Sequence, residues 1–224
     1  VYLIFAPLYE FQRISILKSS KNKSKKQIEK CMKISVIVPA WNEEVGITTS
    51  ISSLLESSYN NLEIVVVNDG STDSTNRIIR SYLRKNVEGK DLKGKSIVYI
   101  NKRKNAGKGA ALNSGIKRSS GDIIVTMDAD TKFENDALYT VARYFQNKEI
   151  DCGVGNVKVS NSKSLLGLIQ QIEYTFGFYF KRMHSVLNCE YIIGGAFGVY
   201  RRSIFEDYGY FDEKNKTEDI EFST

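Results

Sequence analysis

The chain has 224 residues, 42% of them hydrophobic, which is enough for one large domain with its own core. The net charge is +6, but Lys18 to Lys33 holds seven lysines against one acid, Glu29, and the rest is balanced. The excess is local, so the basic pI does not argue for a nucleic-acid-binding domain. Cysteines stand at 31, 152 and 189, odd in number and without a C-x-x-C pair. That excludes a disulfide framework and a zinc site and points to a reducing compartment. The only histidine, His184, is read as a packing or surface residue, because one His builds no zinc site.

Residues 1–32 form an arm of their own character. Val1 to Tyr9 carries no charge and is too short to span a bilayer. It is either the tail of a membrane segment with the lysines as its cytoplasmic flank, or a solvated arm. The chain starts at Val1 rather than Met and stops at Thr224 inside a charged helical turn, so both ends are read as cut.

From Lys33 the pattern is regular. Short β-branched runs at Ile34–Val38, Leu62–Val67, Ser96–Ile100 and Asp122–Met127 predict strands buried on both faces, with a further strand at Cys152–Val159. Between them, Val45–Ser57, Thr75–Lys85, Lys108–Arg118 and Asp136–Gln146 read as helices. This alternation predicts an α/β fold, a mostly parallel central sheet with helices on both faces. Ser164–Leu187 carries apolar residues at steps of three and four, one helix stripe rich in aromatics. We expect it to pack on the sheet; the alternative is a helix at a membrane interface, where Lys181 and Arg182 are favoured.

Unusual polar residues follow the carboxyl ends of the predicted strands, the edge where open α/β sheets bind ligands. Asp128-Ala129-Asp130 places two carboxylates at i and i+2, a pair suited to a hard divalent cation that would neutralise a diphosphate. In Asn68-Asp69-Gly70-Ser71-Thr72-Asp73, a turn and a helix cap account for Gly70 and Ser71 to Asp73. They leave Asp69 free to accept from a base N–H or a ribose hydroxyl. Asn105-Ala106-Gly107-Lys108-Gly109 opens a helix that can meet phosphate, although no P-loop and no dinucleotide fingerprint is present. Gly194 to Arg202 sets small residues before two arginines, which permits close approach by a ligand.

In this order the residues resemble the family-2 glycosyltransferases. Val38-Pro39-Ala40-Trp41-Asn42-Glu43-Glu44 resembles the family's V-P-x-[YWF]-N-E, and residues 68–73 its N-D-G-S-T-D. Residues 105–113 resemble N-x-G-K-x-x-A-L-N, Asp128-Ala129-Asp130 the metal-binding D-x-D, and Thr217-Glu218-Asp219 the T-E-D. The resemblance covers residues 33–224, a catalytic domain truncated at its C-terminus. From Leu165 to Arg202 the chain is similar to membrane-bound polysaccharide synthases, among them those of poly-N-acetylglucosamine, hyaluronan and chitin. Their Q-x-x-R-W motif, expected after T-E-D, would lie beyond Thr224.

The resemblance implies a GT-A fold and an inverting, metal-dependent transfer from a UDP-sugar, N-acetylglucosamine or similar, to a saccharide hydroxyl. It implies that Pro39, Glu43 and Asp69 hold the uridine, while Lys108 and Asp128 lie at the ribose and diphosphate. Asp130, with Asp128, would bind Mg or Mn. Gly194, Gly195, Arg202, Thr217 and Glu218 would shape the acceptor side, and Asp219 would be the general base. It further implies membrane association at the cytoplasmic face of the cell membrane, with no nucleic acid as partner. The rival readings are a non-processive transferase acting on a lipid or other acceptor, and a UDP-binding pseudoenzyme.

Overall fold

The structure is a computed structural model and describes residues 2–19, 24–160, 164–187, 195–215 and 222. Strands β1 (Ile34–Ala40), β2 (Leu62–Asp69), β3 (Ser96–Lys102), β4 (Ile123–Met127), β5 (Cys152–Val154) and β6 (Phe197–Arg201) form one sheet in the order β3-β2-β1-β4-β6-β5. The first four are parallel; β6 runs antiparallel to both β4 and β5. The helices are α1 (Tyr2–Ser19), α2 (Lys25–Cys31), α3 (Ile47–Leu55), α4 (Thr75–Asn86), α5 (Lys108–Arg118), α6 (Ala137–Tyr144), α7 (Leu165–Val186) and α8 (Arg202–Asp207).

The period-two alternation of each strand divides the core. Ile34, Val36 and Val38 of β1 with Leu62, Ile64 and Val66 of β2 meet Ile51 and Leu54 of α3, Ile79 of α4 and Leu138 of α6 on one face. Ile37, Val65 and Val67 meet Ala111, Leu112 and Ile116 of α5 and Phe205 of α8 on the other. Each such fully buried aliphatic contributes about 1.5–3 kcal/mol. A strand with both faces covered has no polar side, which is why β1 and β2 read as unbroken apolar runs.

Three elements differ from the sequence expectation. Phe197–Arg201, read as a small-residue approach to a ligand, is β6; its glycine breaks the β-branched signature that marks the other strands. The arm, for which the sequence pattern names no helix, is helical, and among the described residues no helix is long and apolar enough to cross a membrane. It holds α1 and then α2, which starts with a capping box between Ser24 and Gln27. The expectation that residues 164–187 pack on the sheet is also corrected. Helix α7 lies against α1, where Arg182 covers the Tyr9 ring at 5.5 Å, and only Gly167 and Met183 on it are buried.

The sheet's amino-terminal edge is tied by one buried carboxylate. Glu63 accepts from Ser35 Oγ (2.5 Å), Ser120 N (2.7 Å) and Ser120 Oγ (2.9 Å), with Lys33 Nζ at 3.3 Å. Burial pushes its carboxyl up, but these donors outweigh burial and hold it below the usual carboxylate range. A depressed folded value means the stabilisation is present above the unfolded value, about 4.3, and is lost as pH falls through the folded one. We predict that Glu63→Gln costs about 1–3 kcal/mol in urea unfolding at pH 7, and that the gap to wild type closes below that range. Equal stability at pH 7 would show that the network contributes nothing.

Candidate active site

Strand order reverses between β1 and β4, since β2 and β3 extend from one side of β1 and β4 lies on the other. At such a switch point the loops leaving the carboxyl ends part and open a crevice. The loop after β1 brings Glu43 there, and the turn after β4 brings Asp128 and Asp130. Helix α5 adds Lys108 at its first residue, with Nζ 2.7 Å from Asp128 Oδ1; both side chains remain over a third exposed. Glu43 is pushed above the usual carboxylate range by burial first, then by the negative charges of Asp130, Asp128 and Asp73. Like charges facing one another with too little water around them are short of a counter-cation.

Asp69 is the most enclosed of these acids, its side chain 3% exposed. Its Oδ2 accepts from the amides of Ala106 (3.1 Å) and Gly107 (2.9 Å), and its Oδ1 lies 2.5 Å from Lys102 Nζ. The carboxylate thus pins the loop that leads into Lys108 against the tip of β2. Gly70 makes this approach possible. It has φ +67°, and a Cβ there would stand 2.5 Å from the backbone of Lys104 and Asn105. Asp69 thus holds a loop through Oδ2, while its buried Oδ1 accepts no hydrogen bond among the described residues.

The loops after β1 and β2 are laced to each other. Asn42, at φ 57°, accepts on Oδ1 from the Thr72 amide at 2.9 Å, while its own amide donates to Ser71 Oγ at 3.0 Å. The Glu43 amide donates to Thr75 Oγ1 at 2.8 Å, and the Ser74 amide to Glu44 Oε2 at 3.0 Å. The helix-cap reading of Ser71 and Thr72 is replaced by this bracing. The sequence assigns Asn42 only a place in the family motif and marks Thr75 and Lys102 with no role, since their contacts exist only once the loops are side by side.

The remaining expected residues divide. Pro39 lies near the end of β1, opposite Val67. Gly195, at φ +73°, turns the chain into β6 beside the end of β4, on the same edge as Asp128. Arg202 is a correction. Because β6 is antiparallel, its carboxyl end pairs with the start of β4, at the opposite edge of the sheet. There Arg202 Nε donates to the Gly121 carbonyl (2.6 Å) and Nη2 to Ser119 Oγ (2.9 Å), so it braces the sheet rather than an acceptor. Gly194, Thr217, Glu218 and Asp219 lie outside the described residues.

Among the described residues no three acidic, His or Cys side chains gather as a ligand cage. Magnesium and its kin are commonly held by one or two carboxylates, with phosphate and water completing the shell. Asp128 and Asp130, beside a Glu43 that their charge disturbs, fit that pattern.

The profile of glycosyl transferase family 2 matches residues 35–209. Over its full length the chain is 33% identical to a poly-beta-1,6-N-acetyl-D-glucosamine synthase of Staphylococcus epidermidis and 30% to one of Staphylococcus aureus. It spans about half of these curated relatives, 51% and 52% of their lengths. Among solved structures, it is similar to the mannosyltransferase PcManGT from Pyrobaculum calidifontis, in complex with GDP-Man and Mn2+. The TM-score is 0.68 at 19% identity, over 99% of this chain and 62% of that one. It is also similar to S. aureus TarS 1-349 in complex with UDP-GlcNAc, with a TM-score of 0.58 at 25% identity, over 86% and 52% of the two chains. The central, mostly parallel sheet is the GT-A arrangement of these transferases. By its matched profile and its full-length similarity, the chain belongs to glycosyltransferase family 2.

Proposed function

We propose that this chain carries the donor site and catalytic base of an inverting hexosyltransferase. It would move N-acetylglucosamine from UDP-N-acetylglucosamine onto a saccharide hydroxyl, in the synthesis of a β-linked polysaccharide. One observation carries the reading: Glu43, Lys108, Asp128 and Asp130 converge at the switch point of the sheet. Full-length similarity to poly-beta-1,6-N-acetyl-D-glucosamine synthases supports the sugar, as does likeness to a transferase bound to UDP-GlcNAc.

The chemistry follows from charge. The acceptor oxygen forms a bond to the anomeric carbon while the bond from that carbon to the diphosphate oxygen breaks, and the electron pair leaves on UDP. Attack from the far face inverts the configuration, so an α-linked donor yields a β-linkage. A divalent cation, Mg or Mn, held by Asp130 and Asp128 would neutralise the departing diphosphate. Lys108 would exchange its partner Asp128 for a phosphate oxygen as donor enters. Asp219, in the T-E-D of the family, would take the acceptor proton.

We further place the protein on the cytoplasmic face of the cell membrane. Helix α7 leaves Leu165 (77%), Ile169 (53%) and Phe176 (60%) exposed, followed by Lys181 and Arg182. Exposed apolar residues beside basic ones suit an interface between lipid headgroups and acyl chains. Among the described residues no helix is long and apolar enough to cross a membrane.

Three outcomes are expected. In calorimetry, UDP binds tightly with Mn2+, and EDTA removes most of the heat; equal affinity with and without metal would take Asp130 out of its role. In the full-length enzyme, Asp219→Asn lowers turnover of UDP-N-acetylglucosamine by about 10²-fold or more with UDP affinity nearly unchanged. Wild-type turnover in that variant would mean that another residue is the base. In flotation with phosphatidylglycerol vesicles, Ile169→Glu with Phe176→Glu releases this chain; undiminished flotation would remove α7 as the lipid contact.

A further inference from the structure

The Asp128–Asp130 turn is gripped by α3 as well as by the donor edge. Ser50 Oγ donates to the Ala129 carbonyl at 2.5 Å, and the Phe133 amide donates to Ser53 Oγ at 3.2 Å. Helix and turn are thereby joined. Outside this contact, α3 and α4 part to leave a groove of about 800 Å³. Thr49 and Ser52 line it from α3, Arg77 and Lys85 from α4, and Lys132 reaches it from just past the turn. A second depression begins at Arg77 and continues along α4 past Arg80 and Arg84.

Charge distinguishes this face. Helix α4 carries Arg77, Arg80, Arg84 and Lys85 and no acid at all. Among the described residues, none of the four forms an ion pair with a carboxylate. Arg77 and Arg80 donate instead to neutral oxygens, Ser74 Oγ at 3.1 Å and Asn76 Oδ1 at 3.0 Å. The one carboxylate in the groove lining, Glu56, accepts from Ser52 Oγ at 2.8 Å. Arg77 with Arg80 and Arg80 with Arg84 are like-charge neighbours at i,i+3 and i,i+4, an arrangement that weakens a helix. The last-turn position favours Arg84 and Lys85 at the carboxyl end of the helix, but Arg77 and Arg80 have no such compensation from the dipole, and an anion in the groove would answer them.

We propose that the α3–α4 groove binds a phosphate-bearing ligand distinct from the donor diphosphate, and that its occupancy is felt at the donor site through Ser53 and Lys132. The coupling half rests on the donor-site reading above; the binding half does not. Guanidinium and ammonium groups suit phosphate oxygens, Arg77 by a two-point fork and Lys85 and Lys132 as point charges. The hydroxyls of Thr49 and Ser52 can serve the hydroxyls of the same ligand. A soluble phosphate ester and an anionic lipid headgroup share this chemistry.

The test follows backbone amide shifts of the chain during titration with inorganic phosphate, with and without saturating UDP and Mg2+. The expected result is saturable shifts confined to α3, α4 and Lys132 that persist when UDP fills the donor site. In Arg77→Gln with Lys85→Gln the affinity should fall about tenfold or more. Phosphate should also change the UDP affinity of the wild-type chain and not of the variant. Vesicles of phosphatidylglycerol against vesicles of phosphatidylcholine separate the sources: groove-dependent shifts with the first and none with free phosphate assign the site to a headgroup. Shifts spread over all exposed lysines, or equal in chain and variant, overturn the site. Groove binding that leaves UDP affinity untouched overturns the coupling. Loss of UDP binding in the wild-type chain would instead overturn the donor reading and leave the groove standing.

Discussion

The donor edge depends on the buried carboxylate of Asp69. It sits at the tip of β2, almost without water, and every contact it makes reaches a segment remote in sequence. Two amides of the 103–107 loop donate to Oδ2 and the ammonium of Lys102 lies against Oδ1, which among the described residues accepts no hydrogen bond. An isolated buried carboxylate would cost several kcal/mol, so the loop cannot leave without exposing or neutralising that charge. The start of α5 is fixed by this, and with it the position of Lys108. The absence of a Cβ at Gly70 is what lets the backbone of Lys104 and Asn105 come against it there.

Around this anchor the site is built from opposed charges. Lys108 meets Asp128 on one side of the crevice, while Glu43 faces Asp130, Asp128 and Asp73. Among the described residues, Lys108 pairs with Asp128, and Glu43, Asp130 and Asp73 form no ion pair. The arrangement is suited to a ligand that brings both a cation and phosphate oxygens, because the cation answers the carboxylates and the phosphate answers the lysine. The amino-terminal edge of the sheet is the counterpart without such a demand. Glu63, Lys33, Ser35, Ser120 and Arg202 there satisfy one another or the backbone, and they set strand register instead of waiting for a ligand.

The helices divide by the same logic of what they cover. Helices α3, α5 and α6 bury one face on the sheet, as their apolar spacing requires. Helix α7 has a comparable spacing and buries almost nothing. Periodicity marks a face that prefers to leave water, and does not say whether protein or lipid receives it. The stripe of 164–187 was therefore legible, and its destination was not.

The sequence by itself determined the parallel half of the sheet, its flanking helices, and the edge that carries the polar clusters. Those follow from local rules: β-branched runs buried on both faces, helical spacing between them, and ligands at the carboxyl ends of strands. It also placed Glu43, Lys108, Asp128 and Asp130 on one edge, because each stands directly after or before an element whose type was plain. Tertiary structure alone decided what depends on contacts between distant segments. It made Phe197–Arg201 an antiparallel strand, and so carried Arg202 to the far edge from Gly195. It made Asp69 the pin of a loop, brought Asn42 and Thr75 into the bracing between loops, and gave Asn113 of the family motif to the backbone of Phe211. The physical reason is common to all of these. A backbone pattern is set by neighbours within a few residues, whereas the partner of a buried polar atom is whatever the closed sheet brings within 3 Å or so of it.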